Sequence, residues 1–103
     1  MNPLIEQWRE AGADWLDKQS AADLLDDCKN DKLAELTSVS LGKSHAEKER
    51  NARISTDWNE YRKACVAAKD AARRAMLNKR YFEMRWQEQI SAEANARSER
   101  KSY

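Results

Sequence analysis

From Ser44 to Tyr103 the chain contains neither glycine nor proline, and alanine, arginine, lysine and glutamate make up much of that stretch. These are strong helix formers, and nothing in the segment breaks a helix. A typical globular helix is about a dozen residues long. One running from Ser44 to about Arg97 would extend for roughly 80 Å at 1.5 Å per residue. A chain of 103 residues cannot enclose such a rod in a single core. The rod must therefore pack against the rest of its own chain, against a second copy, or against a partner.

The residues before the rod read as shorter amphipathic helices. Asn2-Pro3 is a good helix start, with Asn as cap and Pro at the first helical position. Leu4, Trp8, Ala11 and Trp15 follow at steps of four, three and four, which predicts a helix from Pro3 to about Lys18. Ser20-Ala21-Ala22-Asp23 resembles a capping box and predicts a second helix to about Thr37, with Ala21, Leu24, Leu25, Cys28, Leu33 and Leu36 as its stripe. Lys32 falls where that stripe calls for an apolar side chain, so fraying is expected near Asn30-Asp31. Residues 38–43, with Gly42, read as a loop. Ser44-His45-Ala46-Glu47 is a capping box that opens the long helix. Its seam (Ile54, Trp58, Tyr61, Cys65, Ala68, Ala72, Ala75) keeps alternating steps of four and three, the spacing of a coiled coil. Lys79 interrupts it, and Phe82, Trp86, Ile90 and Ala94 then recur every four residues. That drift argues against one ideal coiled coil along the whole length. Residues 98–103 carry no stripe and read as a frayed tail.

Charge is distributed unevenly. Residues 1–36 hold nine acidic and four basic side chains, a balance of −5, and residues 37–103 hold nine acidic and fifteen basic, a balance of +6. The two parts suit each other as complementary faces of one fold, and the basic part also suits an acidic partner. The four tryptophans argue against a disordered chain. Cys28 and Cys65 have no ligand-like spacing and read as buried, reduced thiols of a cytoplasmic protein. The first residues lack the basic-then-apolar pattern of a signal peptide, and no apolar run approaches the roughly 18–20 residues that span a bilayer, so no membrane is expected.

The inventory for catalysis is poor. His45 is the only histidine, and a metal site or a nucleophile–base pair needs more than one isolated imidazole and two scattered thiols. Cys65 lies roughly five turns from His45 along the expected helix. Two glycines thirty residues apart cannot form a phosphate-cradling loop. The expectation is a protein with no catalytic residues, no metal and no cofactor.

Binding residues are easier to nominate. Arg62, Lys69, Arg73 and Arg80 fall at steps of seven, four and seven on one face of the long helix, away from the seam, as a phosphate-binding row would. A charged outer face is also the ordinary condition of a soluble helix. Core packing explains Trp8, Trp15, Trp58 and Trp86, but Trp is also a common anchor of protein interfaces. Trp86 is the preferred exposed anchor, because the N-terminal helices are expected to stop short of it. Phe82, Ile90 and Met76 complete a candidate protein-binding stripe.

Ser44-His45-Ala46-Glu47-Lys48-Glu49-Arg50, Tyr61, the alanine- and arginine-rich middle, Phe82 with Trp86, and Asn95-Ala96-Arg97-Ser98-Glu99 resemble small helical proteins of phages and prophages encoded among replication and recombination genes. The resemblance covers residues 44–103. It implies an accessory protein of the bacterial cytoplasm acting beside nucleases, single-strand annealing proteins or single-strand-binding proteins. It assigns no catalytic residues.

The expected architecture is a single all-α domain over residues 1–103: two short N-terminal helices (3–37), a loop (38–43), one very long helix (44–97) and a tail, arranged as a coiled-coil-like helical hairpin. The short helices are expected to bury Leu4, Trp8, Trp15, Leu24, Leu25 and Leu36 against Ile54, Trp58, Tyr61, Cys65 and Ala68. Ala72 to Ile90 would stay uncovered, a liability in a monomer that calls for a homodimer or a protein partner of DNA metabolism. Three functions follow: a non-enzymatic module that modulates such a protein, direct non-specific nucleic-acid binding, or a purely structural dimeric coiled coil.

Overall fold

The computed structural model describes residues 2–102, which are helical almost throughout. Helix α1 spans Pro3–Asp27, α2 Lys29–Val39, α3 His45–Arg53 and α4 Thr56–Ser102. Short helices lean on one very long C-terminal helix, in a body measuring 87 × 21 × 16 Å. The radius of gyration is 23.6 Å, against about 13 Å for a compact domain of this length.

Helix α1 starts as its sequence dictates, with the Asn2 side chain accepting from the Leu4 amide at 2.9 Å and Pro3 in the first turn. It does not stop near Lys18. It continues through the Ser20 capping motif to Asp27. No glycine or proline lies between Ala13 and Asp27, and Ala22 and Leu25 stay in phase with Trp15, so unbroken hydrogen bonding and one continuous buried face outweigh a local cap. The break falls at Cys28, rather than at Asn30-Asp31, where a polar run offers nothing to bury and the chain leaves α4. Cys28 is consequently exposed, contrary to the expectation of a buried thiol, and Cys65 is half-buried.

The expected loop is shorter, residues 40–44, and Gly42 is its necessary residue. Its φ is +155°, and a Cβ there would lie 2.9 Å from the Lys48 backbone nitrogen, so a side chain would both strain the backbone and clash. The capping box at Ser44 forms: Ser44 Oγ accepts from the Glu47 amide at 3.2 Å, and Glu47 reaches back to the Lys43 amide at 3.1 Å.

The helix that Ser44 opens is not the long one. It ends at Arg53, and α4 begins at Thr56. Ser55 makes the junction: its hydroxyl donates to the Ala52 carbonyl at 2.6 Å and accepts from the Trp58 amide at 3.2 Å. One side chain thus serves the end of α3 and the start of α4, groups that otherwise have no helical partner. The bend lets α3 lie beside α2 and buries Trp58, 4% exposed, with Leu36 and Ala52; Leu33 and Tyr61 pack around them. Ile54 falls on the bend and is 73% exposed, so it is not part of the seam. At the other end α4 stays helical through Ser102 instead of fraying at residue 98; Tyr103 lies outside the described residues.

Helix α1 runs antiparallel to α4. Tyr61 Oη donates to the Leu25 carbonyl, Asp26 pairs with Lys69 at 3.4 Å, and Trp8 Nε1 donates to Glu83 Oε1 at 3.1 Å. As α1 advances from Trp8 to Asp26, its partners on α4 therefore recede from Glu83 toward Lys69 and Tyr61. This register corrects the expected coverage. Ala72 and Ala75 are buried, as are Ala11 and Ala22 of α1, so the stretch expected to lie open is the stem of the hairpin. Leu24, by contrast, projects away and is 64% exposed.

Candidate interaction surface

Lys79, which breaks the apolar seam, is held rather than expelled. Its ammonium lies 5.3 Å from the Trp15 ring centre and 5.9 Å from that of Trp8. It also pairs with Glu83 one turn on at 2.9 Å. The tryptophan faces and the carboxylate together replace the water that a lysine on an inner face would lose. The Lys79 ammonium and the Trp8 indole N–H, in that order of effect, hold the Glu83 carboxyl below its ordinary range. Gly12 sits across from the lysine stem, where a Cβ would meet Lys79 Cε at 3.9 Å, an ordinary contact. The sequence carried a sign of this cluster, because Lys79 and Glu83 stand at the i,i+4 spacing of a helical ion pair. The tryptophans opposite could not be placed without the register.

Two apolar grooves flank this cluster along the α1–α4 seam. At the open end of the hairpin, Leu4, Ile5, Trp8, Glu83, Trp86 and Gln87 line a groove of about 380 Å³. Toward the middle, Trp15 and Gln19 of α1 face Ala72, Arg73, Met76, Leu77 and Arg80 of α4 around a groove of about 370 Å³. The nominated protein-binding residues divide between them. Trp86 is half-buried in the first groove, so the N-terminal helix does reach it, against expectation. Met76 is half-buried in the second. Phe82 is half-buried, its ring edge-on to Tyr81 with centroids 5.2 Å apart. Ile90 is 44% exposed, one turn beyond Trp86. Leu4, expected only as core, and Ile5 complete the end groove.

The basic row keeps to one face of α4, but it flanks the seam instead of standing away from it: Arg73 and Arg80 line the middle groove beside Trp15. Arg62, Lys69, Arg73 and Arg80 are all exposed. Lys69 is engaged by Asp26 across the hairpin, and Arg74 by Asp70 on its own helix. Among the described residues Arg62, Arg73 and Arg80 pair with no carboxylate.

At the foot of α4, Tyr61 stacks on Trp58 with ring centres 5.8 Å apart. Desolvation first, then the Cys65 and Cys28 thiols, push its phenol above the ordinary value. His45 is exposed on the first turn of α3, 4.0 Å from Glu49. No group of three or more histidine, cysteine, aspartate or glutamate side chains among the described residues is placed to hold a metal ion. No described helix is long and apolar enough to cross a membrane.

Compared with family models, curated proteins and solved structures, the chain matches none.

Proposed function

We propose that this chain is a non-catalytic interaction module, an accessory protein that binds a protein of DNA recombination, replication or repair and alters its activity in the bacterial cytoplasm. One observation supports the binding part: the step at the open end of the hairpin. Helix α1 begins beside Trp86 and Gln87, whereas α4 continues to Ser102, a further 22 Å or so at 1.5 Å per residue. Leu4, Ile5, Trp8 and Trp86 open an apolar groove at that step, and Ile90 stands exposed just beyond it. An indole at the edge of a concave apolar surface is the usual composition of an interface anchor. The DNA-metabolism part is supported by the resemblance of residues 44–103 to phage and prophage accessory proteins. The unpaired Arg62, Arg73 and Arg80 favour direct nucleic-acid binding as the second reading.

The test is an affinity capture from bacterial lysate with and without nuclease, comparing the wild-type chain with an Ile5→Asp/Ile90→Asp variant of unchanged far-UV circular dichroism. The expected result is a nuclease, annealing or single-strand-binding protein that survives nuclease treatment. It should rebind as a purified protein, and the variant should lose it. Partners that vanish with nuclease would move the function to the basic row. A chain that captures only itself would make it a structural coiled coil.

A further inference from the structure

We propose that the groove in the middle of the hairpin is a docking channel for an amphipathic helix of a partner protein carrying acidic residues two turns apart. This goes beyond the reading above, because it concerns a different groove and a different chemistry from the apolar step at the open end. Ala72, buried, with Trp15, Gln19 and Met76, all half-buried, forms the floor, and the exposed Arg73, Leu77 and Arg80 form its outer rim. Leu77 is 64% exposed, so the rim adds open apolar surface beside the two arginines.

The rim specifies the charge of the occupant. Among the described residues Arg73 and Arg80 form no ion pair with a carboxylate, although Lys69 and Arg74 on neighbouring turns are both paired. Arg73 and Arg80, seven residues apart on one helix face, rise from backbone positions about 10.5 Å apart along the axis. Carboxylates at positions i and i+7 of a docked helix match that spacing, and a guanidinium fork binds a carboxylate through two parallel hydrogen bonds. Apolar side chains between those carboxylates, at three- and four-residue steps, then face the floor, as in helix-in-groove recognition. A nucleic-acid backbone would use the arginines and leave the Trp15–Met76 floor unused. The combination of cationic rim and apolar floor therefore favours a peptide.

The experiment is fluorescence anisotropy of a labelled synthetic amphipathic helix of about five turns, made once with glutamates and once with lysines flanking its leucine face. Each is titrated with the full chain and with an R73E/R80E variant, and a labelled oligothymidylate is titrated in parallel with the same two proteins. The glutamate peptide should bind the wild-type chain roughly tenfold or more tighter than the lysine peptide, the scale of one lost charge-assisted pair. R73E/R80E should reverse that preference, which a merely unfolded variant could not do. Equal binding of the two peptides, or an unchanged preference in the variant, would overturn the proposal. So would tighter binding of the oligothymidylate that the same two arginines control. A dimer in sedimentation that R73E/R80E dissolves, and that the glutamate peptide fails to displace, would likewise overturn it by assigning the groove to a second copy.

Discussion

Along the stem, α1 and α4 meet through alanines: Ala11, Ala22, Ala72 and Ala75 are its buried apolar residues. At the corner where α2 and α3 meet the foot of α4, a single Trp58 is enclosed by Leu36 and Ala52. Small side chains let two helix backbones approach closely, but each buried methyl contributes only about 0.8 kcal/mol, against about 1.5–3 kcal/mol for a side chain the size of Leu or Phe. The stem is long and thinly held, and its larger side chains (Trp8, Trp15, Met76, Trp86) are left at its edges, where they line grooves. The corner is short and concentrated. In this chain the region that buries least per residue offers the most surface to a partner, and the region that buries most anchors it. Regions with few buried apolar contacts open at lower free energy, so the stem is the adaptable element.

Breaking the corner gives the largest effect. Trp58→Ala removes the largest buried side chain among the described residues, and a loss of about 3–5 kcal/mol is expected in urea unfolding. The stem should respond differently. Ala72→Leu forces bulk between two closely spaced helices and should cost about 1–3 kcal/mol. Hydrogen exchange should show faster opening of α1 while amides around Trp58 keep their protection. If both substitutions lower protection equally everywhere, the two regions are one cooperative unit and the distinction fails.

The smallest effect concerns the lysine clasp. Glu83 has a lowered carboxyl pKa in the fold, so its contribution is fully present above the ordinary carboxylate range and is lost as pH falls through the lowered value. Acid titration followed by tryptophan fluorescence should show the Trp8–Trp15 end of the stem loosening before the corner. Glu83→Gln should remove that early phase. An early phase that persists in the variant would place the titrating group elsewhere.

Much of this fold was legible in the residues, and the places where it was not share a cause. Helix content, the Asn2-Pro3 start, the Ser44 cap and the Gly42 turn follow from local chemistry that short segments carry by themselves. The Ser20 motif carried the same local signal, yet it lies inside α1, because pairing with α4 rewards a continuous helix. Ser55 carried a usable signal, a hydroxyl followed by Asp57, that the long breaker-free run concealed. Coverage of Ala72 and Ala75 depended on register: α1 runs to Asp27 rather than Lys18, nine residues longer than expected, which shifts every contact along the stem. The candidate surface was half legible for that reason. Trp86, Met76 and the arginine row were named from spacing, but their division between two grooves, and the part played by Leu4, Ile5 and Trp15, depend on where α1 lies.

The account stands on that antiparallel register, and a distance across the stem tests it most directly. Spin labels at the exposed positions Glu10 and Arg85, in a chain with Cys28→Ser and Cys65→Ala, would be read by double electron–electron resonance in dilute solution. Helix axes packed about 8–10 Å apart predict one short, narrow distance population that Trp58→Ala leaves largely in place and Ala72→Leu broadens. A population reaching toward the 87 Å length of the molecule would mean that α1 does not fold back along α4, and both grooves would go with it.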